Sequence, residues 1–580
     1  MAETIVSPGV LAIENNQSFV TQQPVQAGAA IIGPAVKGKV GIPTIVTSYS
    51  DYLNKFGATF LSGSNTYTYF TSITAYNYFN SGGSSLLVTR VVSGAFSPAT
   101  SSFISASAHI SGSPYNTDVF VLETISKGEI MNSEGPTGNY NTLLSGSADN
   151  LRWQITNSDQ TNGTFYLLVR QGNDTSIAPS VLENWGPLSL DPYSSNYIEK
   201  VIGNQVENVA VDNGEYYIQL SGSYPNNSSY VRVKTVNQTT PNYFDNVGIA
   251  KPQYTGSIPI NMSGSFGAAT GKLSYGGNDK FYENIISETN IQGIQANDYT
   301  QSISLLANKD EFKYNLLVAP GLMSDMTGTA ASAISLMNSI AQDRGDMMVV
   351  FDSSKYNSQI GSVLTNTAGY DTSYAATYWP WVRTIDPSTA NQVWVPASTM
   401  IPGVYAFNDN AAAPWFAPAG VNRGVLTTTI QAERVLTQGN RDTLYQANVN
   451  PIATYTSNGV VVFGQKTLAK KKSALDRINV RRLLIELKSY ISQVADTFVF
   501  EQNDTVTRNN FLSVINPYLA SVQQQQGLTA YRVIMDETNN PPNVVDNNQL
   551  VGQIFLQPTR TAEFILLDFN ILPTGATFPA

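Results

Sequence analysis

The texture of the chain changes twice, and that double change limits the fold more than any other feature. From Gly28 to Val92 the residues are those of a compact α/β unit: Ala29-Ala30-Ile31-Ile32, Thr44-Ile45-Val46 and Ser85-Leu86-Leu87-Val88 predict strands, and Tyr69 to Phe79 a helix. From about Ser93 to Tyr282 the chain turns Ser/Gly/Asn/Thr-rich. Short alternating strands such as Tyr216–Leu220 and Tyr230–Val233 sit there between turn clusters like Pro225-Asn226-Asn227, which predicts a sandwich or barrel. After residue 283 the first texture returns. Tyr314–Val318 predicts a buried strand, Ala330–Gln342 a helix and Met347–Phe351 a strand, an order that implies a βαβ unit with a parallel pair. The β-rich middle is therefore expected to be an insertion in a discontinuous α/β domain.

Beyond that unit the helical period is clearest from Ser473 to Phe498, with Leu475, Ile478, Leu484, Leu487, Ile491, Val494 and Phe498 on near-helical intervals and Ser473/Asp476 as a capping box. A second helix is expected from Arg508 to Gln526, kinked at Pro517 and stopped by Gly527. Strands follow at Ala530–Met535, Leu550–Leu556 and Ala562–Leu572. The last run places Ile565, Leu567, Phe569 and Ile571 on one face, unusually apolar for a chain end. An internal sheet strand or a strand donated to a neighbour would account for it, and both require burial. At the other end, Pro8-Gly9 and the polar Asn15-Asn16-Gln17-Ser18 predict an extended arm. The expected division is 1–26 arm, 27–92 and 283–440 α/β core, 93–282 insertion, 441–560 C-terminal α+β domain and 561–580 terminal strand.

Composition removes several function classes. A formal charge of −10 and only 13% charged residues give a field that repels phosphate backbones and anionic membranes, so neither nucleic acid nor membrane insertion is expected. With no cysteine, disulfides, thiolate metal sites and a cysteine nucleophile are excluded. The first residues lack a basic and apolar leader pattern, which predicts a chain without secretory export.

His109 is the only histidine and lies in a Ser-rich stretch of the insertion, where a proton shuttle for a hydrolase triad is not expected. No histidine or carboxylate grouping predicts a metal, and no cofactor is expected. Gly267–Lys272 is a phosphate-loop look-alike, but its first Gly is one place out of register and Leu273 replaces the magnesium-holding hydroxyl. Lys470-Lys471-Lys472 and Arg481-Arg482 form the one basic concentration, either a solvated helix entrance or a docking strip for an acidic partner.

Many ordered residues resemble the contractile phage tail sheath family. Ser7-Pro8-Gly9-Val10 resembles its N-terminal arm signature, and Tyr76–Gly83 with Val88–Val91 its helix-to-strand passage. Val318–Gly321, Asp352, Tyr374–Val382, Pro402–Ala406, Trp415 and Arg423-Gly424 are similar to its central core. Asn450-Pro451-Ile452, Gly459–Gly464, Asn479–Leu483, Phe500–Asp504, Asn540-Pro541-Pro542 and Ala562–Ile565 are similar to its C-terminal part. Leu11 and Gln502 depart from the pattern, and residues 93–282 have no counterpart in it.

The resemblance implies a discontinuous α/β core that is subtilisin-like in fold, and a non-enzymatic subunit that stacks in rings around an inner tail tube and contracts to drive it through the host envelope. Its partners would be further copies of itself, the inner tube protein, and baseplate and tail terminator proteins; it would reside in the virion tail, assembled in the host cytoplasm. The arms would carry the inter-subunit contacts, through Ile5, Val6, Pro8, Val10, Leu11 and Ile13 at one end and Ile565, Leu567, Phe569 and Ile571 at the other. Arg477, Arg481, Arg482 and Lys488 would be possible tube-facing residues. A tailocin or other contractile injection machine fits the same residues, and a secreted β-rich surface or adhesin protein fits the middle composition.

Overall fold

The computed structural model describes residues 25–62, 65–104, 118–132, 148–175, 177–273, 281–283, 290–326 and 328–564. Its centre is an eight-stranded sheet in the order Gly459–Val462, Asn450–Tyr455, Ala375–Trp379, Met348–Asp352, Leu316–Met323, Ala29–Gly33, Leu86–Arg90, Thr44–Val46. The six inner strands run parallel, and the two edge strands are antiparallel to their neighbours. Helices cover the sheet, so its strands are buried on both faces and their sequences are continuous apolar runs without alternation. The halves of the split unit meet where Leu317 and Val318 pair with Ala30 and Ile31.

Helix Phe70–Asn80 buries most of its surface against the sheet and against helix Ile401–Ala411. The two backbones approach so closely that a Cβ on Gly403 would stand 2.8 Å from the Asn77 carbonyl oxygen. The expected strand Tyr314–Val318 is two elements: Phe312–Tyr314 pairs in parallel with Val25–Ala27, and Leu316–Met323 enters the central sheet. The expected boundary at 440 does not coincide with a break in packing, because strands Asn450–Tyr455 and Gly459–Val462 continue the central sheet.

The inserted segment forms its own core between two antiparallel sheets. One is ordered Val181–Ser189, Thr164–Gln171, Leu151–Asp159, Met262–Ser265; the other is Val231–Val236, Asp118–Lys127, Pro98–Ile104. Alternate residues point inward. Phe103 stacks on Phe120 at 4.3 Å between centroids and meets Trp153 at 4.2 Å, while Phe120 faces Phe165 at 5.7 Å, so aromatic rings join the layers.

The chain enters and leaves this unit side by side. Ser97 N donates to Thr270 O, Thr100 N to Gly267 O, and Gly128 N to Ser97 O. A hairpin, Val206–Asp212 with Glu215–Ser221, returns to the α/β unit, packing Val209, Tyr216 and Ile218 on its core while Lys39 Nζ pairs with Glu207 at 2.6 Å.

The C-terminal unit packs helices Ile478–Asp496 and Thr505–Gln524 on a hairpin, Leu528–Ile534 with Gln553–Pro558, around Leu483, Leu487, Phe511, Ile515, Leu519 and Leu528. The helix expected from Ser473 is interrupted. Ser473 Oγ accepts from Leu475 N and caps only a 3-10 turn at Ala474–Asp476; Arg477 is extended, and the α-helix begins at Ile478. The second helix starts earlier than Arg508, because Asp504 accepts from Thr507 N as its cap, and it runs on through Pro517. Of the expected strand Ala562–Leu572, residues 562–564 are not in a strand and the remainder lies outside the described residues.

Candidate assembly surfaces

Ile5, Val6, Pro8, Val10, Leu11 and Ile13, like Ile565, Leu567, Phe569 and Ile571, lie outside the described residues. Their points of departure do not. At the N-terminal side the first described backbone, Val25–Ala27, is bound to Phe312–Tyr314. At the C-terminal side a cluster holds Glu563. Its carboxylate accepts from Arg477 Nε at 2.6 Å and Nη2 at 2.9 Å, from Tyr445 Oη at 2.9 Å and from Gln465 Nε2 at 2.9 Å.

Gln465 Nε2 also donates to Thr561 Oγ1 at 2.9 Å. Lys466 sits 4.4 Å above the Tyr445 ring and donates to the Tyr445 carbonyl at 2.7 Å. Burial pushes the Glu563 carboxyl up, but the hydrogen bonds from Arg477, Gln465 and Tyr445 together hold it below its ordinary value, so it stays ionised. Burial, and next to it Glu563, push the Tyr445 phenol up and keep it a donor.

A few residues before Glu563 is the hairpin Leu528–Ile534/Gln553–Pro558, two-stranded among the described residues. Ile554 and Leu556 turn toward the helices, and Phe555, 54% exposed, points away. Two antiparallel strands satisfy only the backbone groups between them, so each outer edge offers N–H and C=O groups to another strand.

The four basic residues expected on a tube-facing wall separate. Arg481 is 4% exposed, stacks 4.0 Å from the Tyr374 ring and donates to Ser373 Oγ. Burial lowers its pKa. Arg482 is 7% exposed, pairs with Asp409 Oδ2 at 2.5 Å and lies 4.5 Å from the Tyr405 ring. Burial would lower its pKa, but Asp409 more than offsets that. Both are therefore internal to the subunit, a correction to the expectation from sequence: the helix is covered on the side that carries them. Arg477 is taken by Glu563 and Asp476, and Lys488 is exposed beside Tyr374.

His109 lies outside the described residues. Gly267–Lys272 is an open segment that opens no helix, with Gly271 at φ +109° and Gly267 bonded to Thr100. Lys470 Nζ donates to Ala368 O, which makes part of the basic run a tie to the core. Among the described residues no three His, Asp or Glu side chains gather as metal ligands, and no helix is long and apolar enough to cross a membrane.

Sequence reasoning named Asp352 in the sheath-like core pattern but did not foresee that it and Glu433 are buried carboxyls. Asp352, at the end of its strand, accepts from Ser398 N at 2.9 Å, Ser398 Oγ at 2.5 Å and Gly321 N at 3.4 Å, and burial pushes it up to about 6. Glu433 has both oxygens enclosed with no hydrogen-bond partner, and burial pushes it up to about 7. The Glu563 cluster was missed as well. Its partners stand 86 to 118 residues away along the chain, and the only signal was Glu563's place in the Ala562–Ile565 motif.

Comparison with known proteins gives two family-domain matches in the second half of the chain. The phage tail sheath protein central domain matches residues 292–468, and the phage tail sheath C-terminal domain residues 470–571. The tail sheath protein of Vibrio phage KVP40 is 32% identical over 305 residues, covering 49% of this chain and 46% of the relative. That of Enterobacteria phage T4 is 30% identical over 302 residues, with coverage of 49% and 46%. The chain thus spans about half the length of these curated relatives. A crystal structure of a sheath tail protein from Listeria innocua shares the fold at a TM-score of 0.52, with 12% identity, over 92% of this chain and 95% of that one. Residues 292–468 and 470–571 thus match the central and C-terminal domains of phage tail sheath proteins, and about half of the chain is similar to curated tail sheath proteins of contractile-tailed phages.

Proposed function

We propose that the chain is the structural subunit of a contractile tail sheath, polymerising as stacked rings around an inner tube and contracting to drive that tube through a host envelope. Catalysis and cofactors have no part in this reading. The observation that carries it is the hairpin Leu528–Ile534/Gln553–Pro558, which has unfilled outer edges among the described residues and lies in the domain that matches the sheath family. A two-stranded sheet is marginal alone and gains from every added strand. Strands lent by the chain ends of neighbouring copies, through Ile5–Ile13 and Ile565–Ile571, would fill those edges by β-augmentation. A contact of that kind is heterologous, so repetition builds a helix.

The parallel run of six strands supports reading the core as subtilisin-like. The same reading makes the inner tube, baseplate and terminator proteins the partners, and the virion tail, assembled in the host cytoplasm, the location. Contraction would be a fall from a metastable arrangement into one with larger contacts. Deleting Ala2–Glu14 tests it: negative-stain microscopy should show folded single subunits and no long tubes, and normal contractile tubes from the truncated chain would refute the role of the arm.

A further inference from the structure

We propose that Glu563 is the anchor of the C-terminal tail: pull applied beyond it ends on Arg477, Tyr445 and Gln465 and does not reach the hairpin strand Gln553–Pro558. The inference rests on the reading of residues beyond 564 as a connector between subunits.

Mechanics explain why an anchor is needed. The last strand pairs Pro558 with Leu528 and then runs inward to Gln553–Ile534. A tail pulled from Pro558 would meet these pairs one after another, and a ladder opened sequentially yields at the strength of single hydrogen bonds, about 1 kcal/mol net each. The four residues 559–562 separate Pro558 from Glu563. One bond near their start, Thr559 N to Gly527 O at 3.2 Å, and one from Gln465 to Thr561 hold this short stretch against the body.

At Glu563 the chain meets four charge-assisted donor contacts at once, two of them the parallel pair that a guanidinium makes with a carboxylate. These bonds must fail together. Directly after the cluster, Phe564 is 84% exposed.

The position of the partners adds to this. Tyr445 belongs to helix Gln438–Gln446, Gln465 follows the edge strand Gly459–Val462 of the central sheet, and Arg477 is the N-cap of the long helix Ile478–Asp496. Three elements at the joint between the α/β unit and the C-terminal unit therefore share the pull. Lys466 braces the Tyr445 ring, and Asp476 holds the second arm of Arg477 at 3.1 Å.

The experiment uses the full-length subunit before polymerisation, so no neighbour is involved. Residues 561–580 contain no Lys or Arg, and trypsin cutting after the exposed Arg560 releases them as one peptide that mass spectrometry can time. Cutting there requires Thr561 and Glu563 to let go. Release should be slow in the wild type and roughly tenfold faster in E563Q and R477Q, with cleavage after the other Lys and Arg residues common to all three proteins unchanged. Equal rates in all three proteins would overturn the anchor, and so would acceleration at every site alike, which would make Glu563 a support of the whole fold. In the polymer, E563Q should allow tubes to form but leave contracted tubes short; contracted tubes of wild-type length would overturn the mechanical role. If the N-terminal deletion still builds tubes while Arg560 stays protected, the arm reading fails and the clamp does not.

Discussion

Replacing Glu433 by Gln should remove a pH dependence of stability that the wild type carries. Glu433 follows strand Thr429–Ala432, its amide bonded to Trp381 O at 2.8 Å, and both carboxyl oxygens are enclosed without a partner. Burial pushes the group from 4.5 up to about 7; the backbone at Trp381 and Asn357 and the Arg434 guanidinium offset only part of that. Tyr356, Arg383 and Glu283 are the other titratable groups of this corner.

The sign follows from which state holds the proton. Below 4.5 the carboxyl is neutral folded and unfolded and contributes nothing. Between 4.5 and 7 the unfolded chain releases its proton while the folded one keeps it, so stability falls as pH rises, and the loss is complete above 7. At 1.36 kcal/mol per pH unit the full shift amounts to about 3 kcal/mol, and about half of that remains once water reaching the partly exposed side chain is allowed for. E433Q cannot ionise. Its melting temperature relative to the wild type should therefore rise by roughly 3–6 °C between pH 4.5 and pH 8, at about 2–4 °C per kcal/mol for a unit of this size. Asp352 adds a fall of the same sign but is intact in both proteins and cancels in the difference. Parallel pH profiles for the two proteins would refute the claim that this carboxyl is held unpartnered.

Two further substitutions test packing. R482M strands Asp409 beside Glu486 and should cost about 2–4 kcal/mol in urea unfolding of the isolated subunit, most of it recovered in the R482M/D409N pair; a neutral result would mean Arg482 is not internal. G403A should cost about 1–3 kcal/mol, read as a lower melting temperature, because its methyl meets the Asn77 carbonyl at 2.8 Å and Ser81 Oγ at 2.9 Å. An unchanged melting temperature would mean that the two helices can part at no cost.

The central sheet was legible because strands buried on both faces leave runs such as Leu86-Leu87-Val88 and Met348–Phe351, which no amphipathic helix produces. The insertion was legible from its texture, since half-buried strands alternate. Strands Asn450–Tyr455 and Gly459–Val462 were not assigned to the sheet, because nothing local to a strand tells which sheet it joins. The inward arginines defeated sequence reasoning for a related reason: helix Ile478–Asp496 touches both the α/β unit and the C-terminal core, so its polar positions face protein as well as water. The anchor on Glu563 joins three distant segments, and only the folded chain brings them together.

The side-by-side passage of Ser97–Thr100 and Gly267–Thr270 has an evolutionary corollary. A module whose two ends leave the scaffold a few ångströms apart is tethered like a pendant: its size, loops and even its presence can drift while the strand pairings on either side of the gap stay in register. The inserted unit can therefore change in size and loops without shifting the strand pairings of the central sheet on either side of it.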